Sequence, residues 1–191
     1  MNNEFYLSDQ EKLLLINGIK NGLTRFYKER EGKPDIVTEK NFISRQRASY
    51  VFDSIYHLAN QHPELKVTAE IRSAGLSYEY VLLFFEERKI MVTFSQVRHQ
   101  EDLPEYSEYR SEFTEGNRLY NPQLSFFREE ENYLNLYKHL VVTYNGSHGA
   151  NPVFICIGAT TPTQKAWIYH EDLMESASLD TGTGSLSLIL K

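Results

Sequence analysis

The side chains most able to do chemistry in this 191-residue chain are six histidines, one cysteine and a scatter of carboxylates. His57, His62, His99, His139, His148 and His170 could serve a metal or a proton transfer. No pair shows the His-x-x-x-His spacing that puts two rings on one helical face, so each reads as a surface or helix-end residue. Cys156 lies in the apolar run Phe154-Ile155-Cys156-Ile157, where a thiol is a small buried hydrophobe; a nucleophile needs a polar, partly open setting. A dyad of Cys156 with His148 or His170 is the remaining nucleophilic option. A lone cysteine forms no intramolecular disulfide and no thiolate cage, and it fits a reducing compartment. The glycines at Gly146 to Gly149 and Gly182 to Gly184 match neither a phosphate loop nor a dinucleotide fingerprint. No cofactor and no metal are therefore expected.

Charge and composition narrow the classes further. With 20 Lys+Arg against 26 Asp+Glu the net charge is -6, which argues against a nucleic-acid binder held by phosphate contacts. Arg25, Lys28, Arg30, Arg45 and Arg47 still form a modest basic cluster. A hydrophobic fraction of 41% suffices for a core. No apolar run approaches the roughly 18 residues needed to cross a bilayer, and the first 25 residues lack a secretory leader pattern. The expected setting is the cytoplasm, with no membrane.

The elements that must position any site follow from periodicity and capping. Ser8 and Glu11 have capping-box spacing, and Leu14, Leu15, Gly18, Ile19, Gly22, Leu23 and Phe26 form a helical stripe. The spacing predicts a helix over 9–29, with a candidate hinge at 30–37 where Gly32 and Pro34 break the pattern. A second helix follows Thr38 and stops at His62-Pro63. Runs rich in β-branched and aromatic residues at 66–73, 78–86 and 89–98 read as a three-stranded meander. The segment 99–121 reads as a loop or a short helix near 105–115, and a helix is expected over 129–140. Strands are expected at 152–157 and 164–169, then a mobile tail at 176–191. The expected fold class is α+β: one domain over 1–191, its antiparallel sheet made of the meander plus two later strands, with helices packed mainly on one face.

Strand parity then yields a candidate surface. If the hairpins place Glu70 near Tyr80 and Phe84 near Met91, one face carries Val67, Ala69, Ile71, Val81, Leu83, Phe85, Ile90, Val92 and Phe94. The other carries Thr68, Glu70, Arg72, Tyr78, Tyr80, Leu82, Phe84, Met91, Thr93 and Ser95. This second face is too polar for a dry core and too aromatic for a plain solvated one, a mixture suited to recognition. The acidic segment 99–116 adds Tyr106 and Tyr109 among six carboxylates, suited to a basic protein groove.

The order helix, three antiparallel strands, helix, strand resembles the core of restriction-endonuclease-like nucleases. That resemblance implies a Mg2+ site with an acidic residue near the second strand and an acidic-x-Lys pair on the third. Here Glu87-Arg88-Lys89 has the letters but falls in the expected turn, and the third strand offers Ser95-Gln96 instead. The alternative catalytic set is Asp53, Glu70 and Glu87 as ligands with Lys89 orienting water. The favoured expectation is a non-catalytic module of a bacterial or phage accessory system that engages a protein partner, not nucleic acid. Glu70, Arg72, Tyr78, Tyr80, Thr93, Ser95, Tyr106 and Tyr109 would form its contact surface.

Overall fold

A computed structural model describes residues 3–33, 40–75, 78–120, 136–147 and 149–175. The expected tail at 176–191, residues 34–37 of the candidate hinge, His148, and residues 129–135 of the expected third helix lie outside the described residues. The first helix, α1, runs Asp9–Arg30, and the capping box is formed: the Ser8 N–H donates to Glu11 Oε2 at 2.6 Å, and Ser8 Oγ accepts from the Glu11 N–H at 3.4 Å. Glu11 also receives Arg88 Nε at 2.9 Å, which ties the helix start to the turn between the second and third strands. The second helix, α2, runs Lys40–Gln61. The pair pack at the smallest residues of the α1 stripe. A Cβ on Gly22 would stand 2.5 Å from Val51 Cα, and one on Gly18 would stand 2.6 Å from Ile55 Cγ1.

Six strands form one sheet in sequence order: β1 Val67–Ala74, β2 Tyr78–Phe85, β3 Ile90–Gln96, β4 Lys138–Tyr144, β5 Ile155–Thr160 and β6 Trp167–Asp172. Every neighbouring pair is antiparallel except β3 and β4, which run parallel from Ile90↔Lys138 to Gln96↔Tyr144. The sheet is therefore mixed, a correction to the antiparallel expectation. Parallel neighbours need a long crossover, and the segment 97–137 supplies it. The helix expected up to residue 140 is also corrected, because 138–144 is a central strand. A strand buried on both faces reads as an unbroken apolar run without alternation.

The meander's parity holds. Thr68↔Phe84 and Phe84↔Met91 keep the nine apolar residues from Val67 to Phe94 on one face, although Glu70 pairs with Leu82 and Tyr80 with Arg72. The expected register of the first hairpin is off by two residues, which leaves every face unchanged, and the second hairpin pairs Phe84 with Met91 as expected. Helices α1 and α2 cover this face, with Phe52 of α2 6.5 Å from Phe94 of β3. On the far half of the sheet Lys12 of α1 reaches Glu171 of β6 at 2.6 Å. On the opposite face lies a short helix, α3, Glu108–Thr114, whose Tyr109 stacks on Tyr80 of β2. Helices therefore lie against both faces. β5 and β6 begin three residues later than the expected strands, and β5 includes Gly158, over which Trp167 lies; a Cβ there would stand 2.6 Å from the indole.

Candidate functional site

Helix α3 is too short to hold itself, so its placement rests on buried polar contacts. Arg110 is buried; its guanidinium donates to the Glu105 carbonyl, to the Tyr109 hydroxyl at 2.9 Å and towards Gln164 Oε1 at 3.5 Å. Gln164 sits in the β5–β6 turn at φ 57° and spans to α3. Its amide donates to the Ser107 carbonyl at 2.9 Å and to Ser111 Oγ at 3.1 Å, and its Oε1 accepts the Ser107 N–H at 3.3 Å. Thr114 Oγ1 donates to the Pro162 carbonyl at 3.1 Å. These contacts tie α3 to the β5–β6 turn.

The consequence is an aromatic ladder. Tyr109 stacks on Tyr80 at 4.3 Å, Tyr80 on Tyr78 at 6.2 Å, and Phe113 meets Tyr109 edge-on at 6.3 Å and His139 at 5.8 Å. Beside it runs a groove of about 560 Å3, walled by Arg72–Gly75 of the first hairpin and by Glu108 and Glu112 of α3, with Tyr80, Tyr109 and Phe113 as its floor. Burial raises the Tyr78 and Tyr80 phenols, with Tyr109 adding to it, so both stay neutral hydrogen-bonding groups. Glu105, Glu108 and Glu112 are exposed, and Tyr106 is 62% exposed. Among the described residues no strand pairs with the outer edge of β1, where Ile71 is 59% exposed.

The residues expected on one surface separate into layers. Arg72 pairs with Glu70 at 2.7 Å and lies over Phe84 at 5.5 Å, on the β1 side of the groove. Tyr80 is only 5% exposed, beneath α3. Thr93 is buried, its hydroxyl 2.9 Å from His139 Nε2. Ser95 belongs to a different cleft, described below. His139 is fully buried in β4, which corrects its reading as a surface residue: a histidine inside an apolar run follows the strand into the core. Cys156 is buried and unpaired, its thiol pushed up to about 12 chiefly by burial.

The alternative catalytic set is not brought together. Asp53 faces Arg25 at 2.6 Å and His57 at 3.2 Å on the helical layer, Glu70 is held by Arg72, and Glu87 is held by Lys66 at 2.5 Å in the β2–β3 turn beside Lys89. The element order behind the nuclease resemblance is present, yet β3 carries no carboxylate and β2 carries only the exposed Glu79. Among the described residues no group of three or more His, Cys, Asp or Glu side chains is placed to hold a metal ion. No described helix is long and apolar enough to cross a membrane.

Sequence reasoning missed a second concavity. β2 and β3 pair only from Leu83↔Val92 to Phe85↔Ile90; beyond that β2 stays with β1, and β3 stays with β4. The sheet splits there, and a cleft of about 790 Å3 opens at the ends of β3 and β4 beside the first half of α2. The basic cluster of Arg45 and Arg47 was the only signal in the sequence, because loss of pairing between two good strands leaves no local mark. No family model, curated protein or solved structure matches this chain.

Proposed function

We propose that this protein is a non-catalytic binding module that takes an extended, basic segment of a protein partner along the free edge of β1. One or more side chains of that segment would enter the tyrosine groove under α3. The observation that carries this reading is an aromatic floor, Tyr80, Tyr109 and Phe113, next to two exposed carboxylates and a strand edge that no strand among the described residues pairs. A strand edge gives main-chain hydrogen bonds, pockets beside it read alternate side chains, and acidic rims favour basic partners and speed their approach. Tyrosine floors supply contact area at low entropic cost. The free buried Cys156 accords with a reducing, cytoplasmic setting, which is part of the proposal together with the accessory-system role.

Fluorescence polarisation with labelled Lys/Arg-rich peptides, each carrying one aromatic or aliphatic anchor, tests it. Binding is expected to weaken steeply with salt and to drop at least about tenfold in Glu108→Lys/Glu112→Lys, a loss of about 1.4 kcal/mol. A folded charge-reversed variant that binds the same peptides as tightly as wild type would overturn the proposal.

A further inference from the structure

The cleft at the split between β2 and β3 has a composition opposite to that of the protein as a whole. Its lining carries Arg45, Arg47, Arg98 and His99 against one carboxylate, Glu105, in a chain of net charge -6. Arg47 is the unusual member. It is 7% exposed, and its guanidinium donates to Gln96 Oε1 at 2.8 Å, the Gly146 carbonyl at 2.8 Å, the Tyr27 hydroxyl at 3.3 Å and Ser44 Oγ at 3.3 Å. Every one of these acceptors is neutral. A buried cation without an anion is expensive to keep, so its charge is a standing attraction for one. Arg45 and Arg98 are exposed, and among the described residues neither guanidinium meets a carboxylate.

A second, independent observation lies in the same wall. Tyr144 ends β4, lines the cleft and is 1% exposed, its hydroxyl lying beside the Gln96 and Arg47 side chains. Burial raises this phenol, which keeps it a neutral donor. The backbone contributes too. The Val97 N–H donates to the Tyr144 carbonyl at 3.1 Å, so strand alternation turns the peptide groups of Gln96 and Phe94 to the opposite side, where β2 has departed. The wall also holds the half-buried ring of Tyr78, a flat surface for a planar group.

From this combination we infer that the cleft binds a small phosphorylated molecule with a planar ring, of the size and class of a nucleoside monophosphate. The volume lies within the range that encloses such ligands. Arg45 and Arg98 would meet the phosphate at the rim, Arg47 would supply uncompensated charge behind it, and Tyr78 would carry the ring. Charge-assisted bonds from arginine suit phosphate oxygens, and guanidinium groups match their geometry. This site is distinct from the tyrosine groove, so either can fail without the other.

Isothermal titration of the full chain with adenosine, guanosine, cytidine and uridine monophosphates, their parent nucleosides, and inorganic phosphate provides the test. At least one monophosphate is expected to bind with a Kd below about 100 μM and to raise the melting temperature. Its nucleoside and inorganic phosphate are each expected to bind at least about tenfold more weakly. Arg45→Glu/Arg98→Glu, both at exposed positions, should lose the binding at an unchanged unliganded melting temperature, and Glu112→Lys should retain it. Absence of binding by every monophosphate at 1 mM to folded wild type would overturn the inference. So would equal affinity for the nucleoside, equal affinity for inorganic phosphate, or full binding by the folded double variant.

Discussion

His139 and Asn117 show how single side chains set the interior of this sheet. Asn117 is fully buried and closes the gap between β4 and β5, its amide donating to the His139 carbonyl at 2.8 Å and the Thr160 carbonyl at 3.0 Å while its Oδ1 accepts the His139 N–H at 2.9 Å. Asn117→Leu removes all three bonds and strands buried backbone groups, a loss expected at roughly 3 kcal/mol in urea denaturation with an unchanged m value. A loss below about 1 kcal/mol would mean water replaces the amide. Burial, with the Arg110 charge adding to it, pushes the His139 imidazole down to about 3 from an ordinary 6.5. The unfolded chain therefore binds the proton more readily, so this contribution is complete above about pH 6.5 and is lost as the pH falls towards 3. The slope in that window is up to about 1.4 kcal/mol per pH unit. Stability measured at pH 6.5 and pH 5 should fall by about 2 kcal/mol more in wild type than in His139→Gln, and equal falls would contradict the assignment. Tyr80, stacked under Tyr109, behaves as a core residue as well, so Tyr80→Ala is expected to cost roughly 3 kcal/mol. The exposed Glu108 and Glu112 on the groove wall report on binding without a loss of core packing.

At the scale of elements, the close contact of α1 with α2 depends on Gly22. A Cβ there would meet Val51 Cα, the Tyr50 carbonyl and the Val51 nitrogen, all backbone and unable to step aside. Alanine gains about 1 kcal/mol of helix propensity over glycine, yet Gly22→Ala is expected to destabilise by roughly 2 kcal/mol because the helices must separate. Thermal denaturation decides it; a stabilised variant would place the contact elsewhere. The elements legible in the sequence were those with local signatures. The Ser8–Glu11 box fixed the start of α1, and Val67, Ala69 and Ile71 of β1 and Ile90, Val92 and Phe94 of β3 recur at every second position, whereas β2 is a nearly unbroken apolar run legible from its β-branched and aromatic content and the short turns beside it. β4 was hidden because Lys138–Tyr144 is buried on both faces, and Leu136, Tyr137 and Leu140 happen to imitate helical spacing. Gly158-Ala159-Thr160 reads as a turn but is strand, since only glycine leaves room for Trp167.

On the scale of the whole molecule, two concave surfaces of opposite character lie on one sheet. Face parity correctly grouped Glu70, Arg72, Tyr78 and Tyr80, but parity says nothing about cover, and α3 converts that open face into a groove with an acidic wall. The anchor for α3, Gln164, is more than fifty residues from Arg110 in the chain, so no local pattern announced it. In the proposed function the β1 edge and the groove together receive a basic segment. A 1H–15N correlation titration of the full chain with such a peptide tests it most directly. Shifts and slowed amide exchange are expected at Ile71–Ala74 of β1, with shifts at Tyr109, Glu112 and Phe113 of α3. Saturable binding whose shifts spare both β1 and α3, or no binding by any basic peptide of the panel, would contradict it.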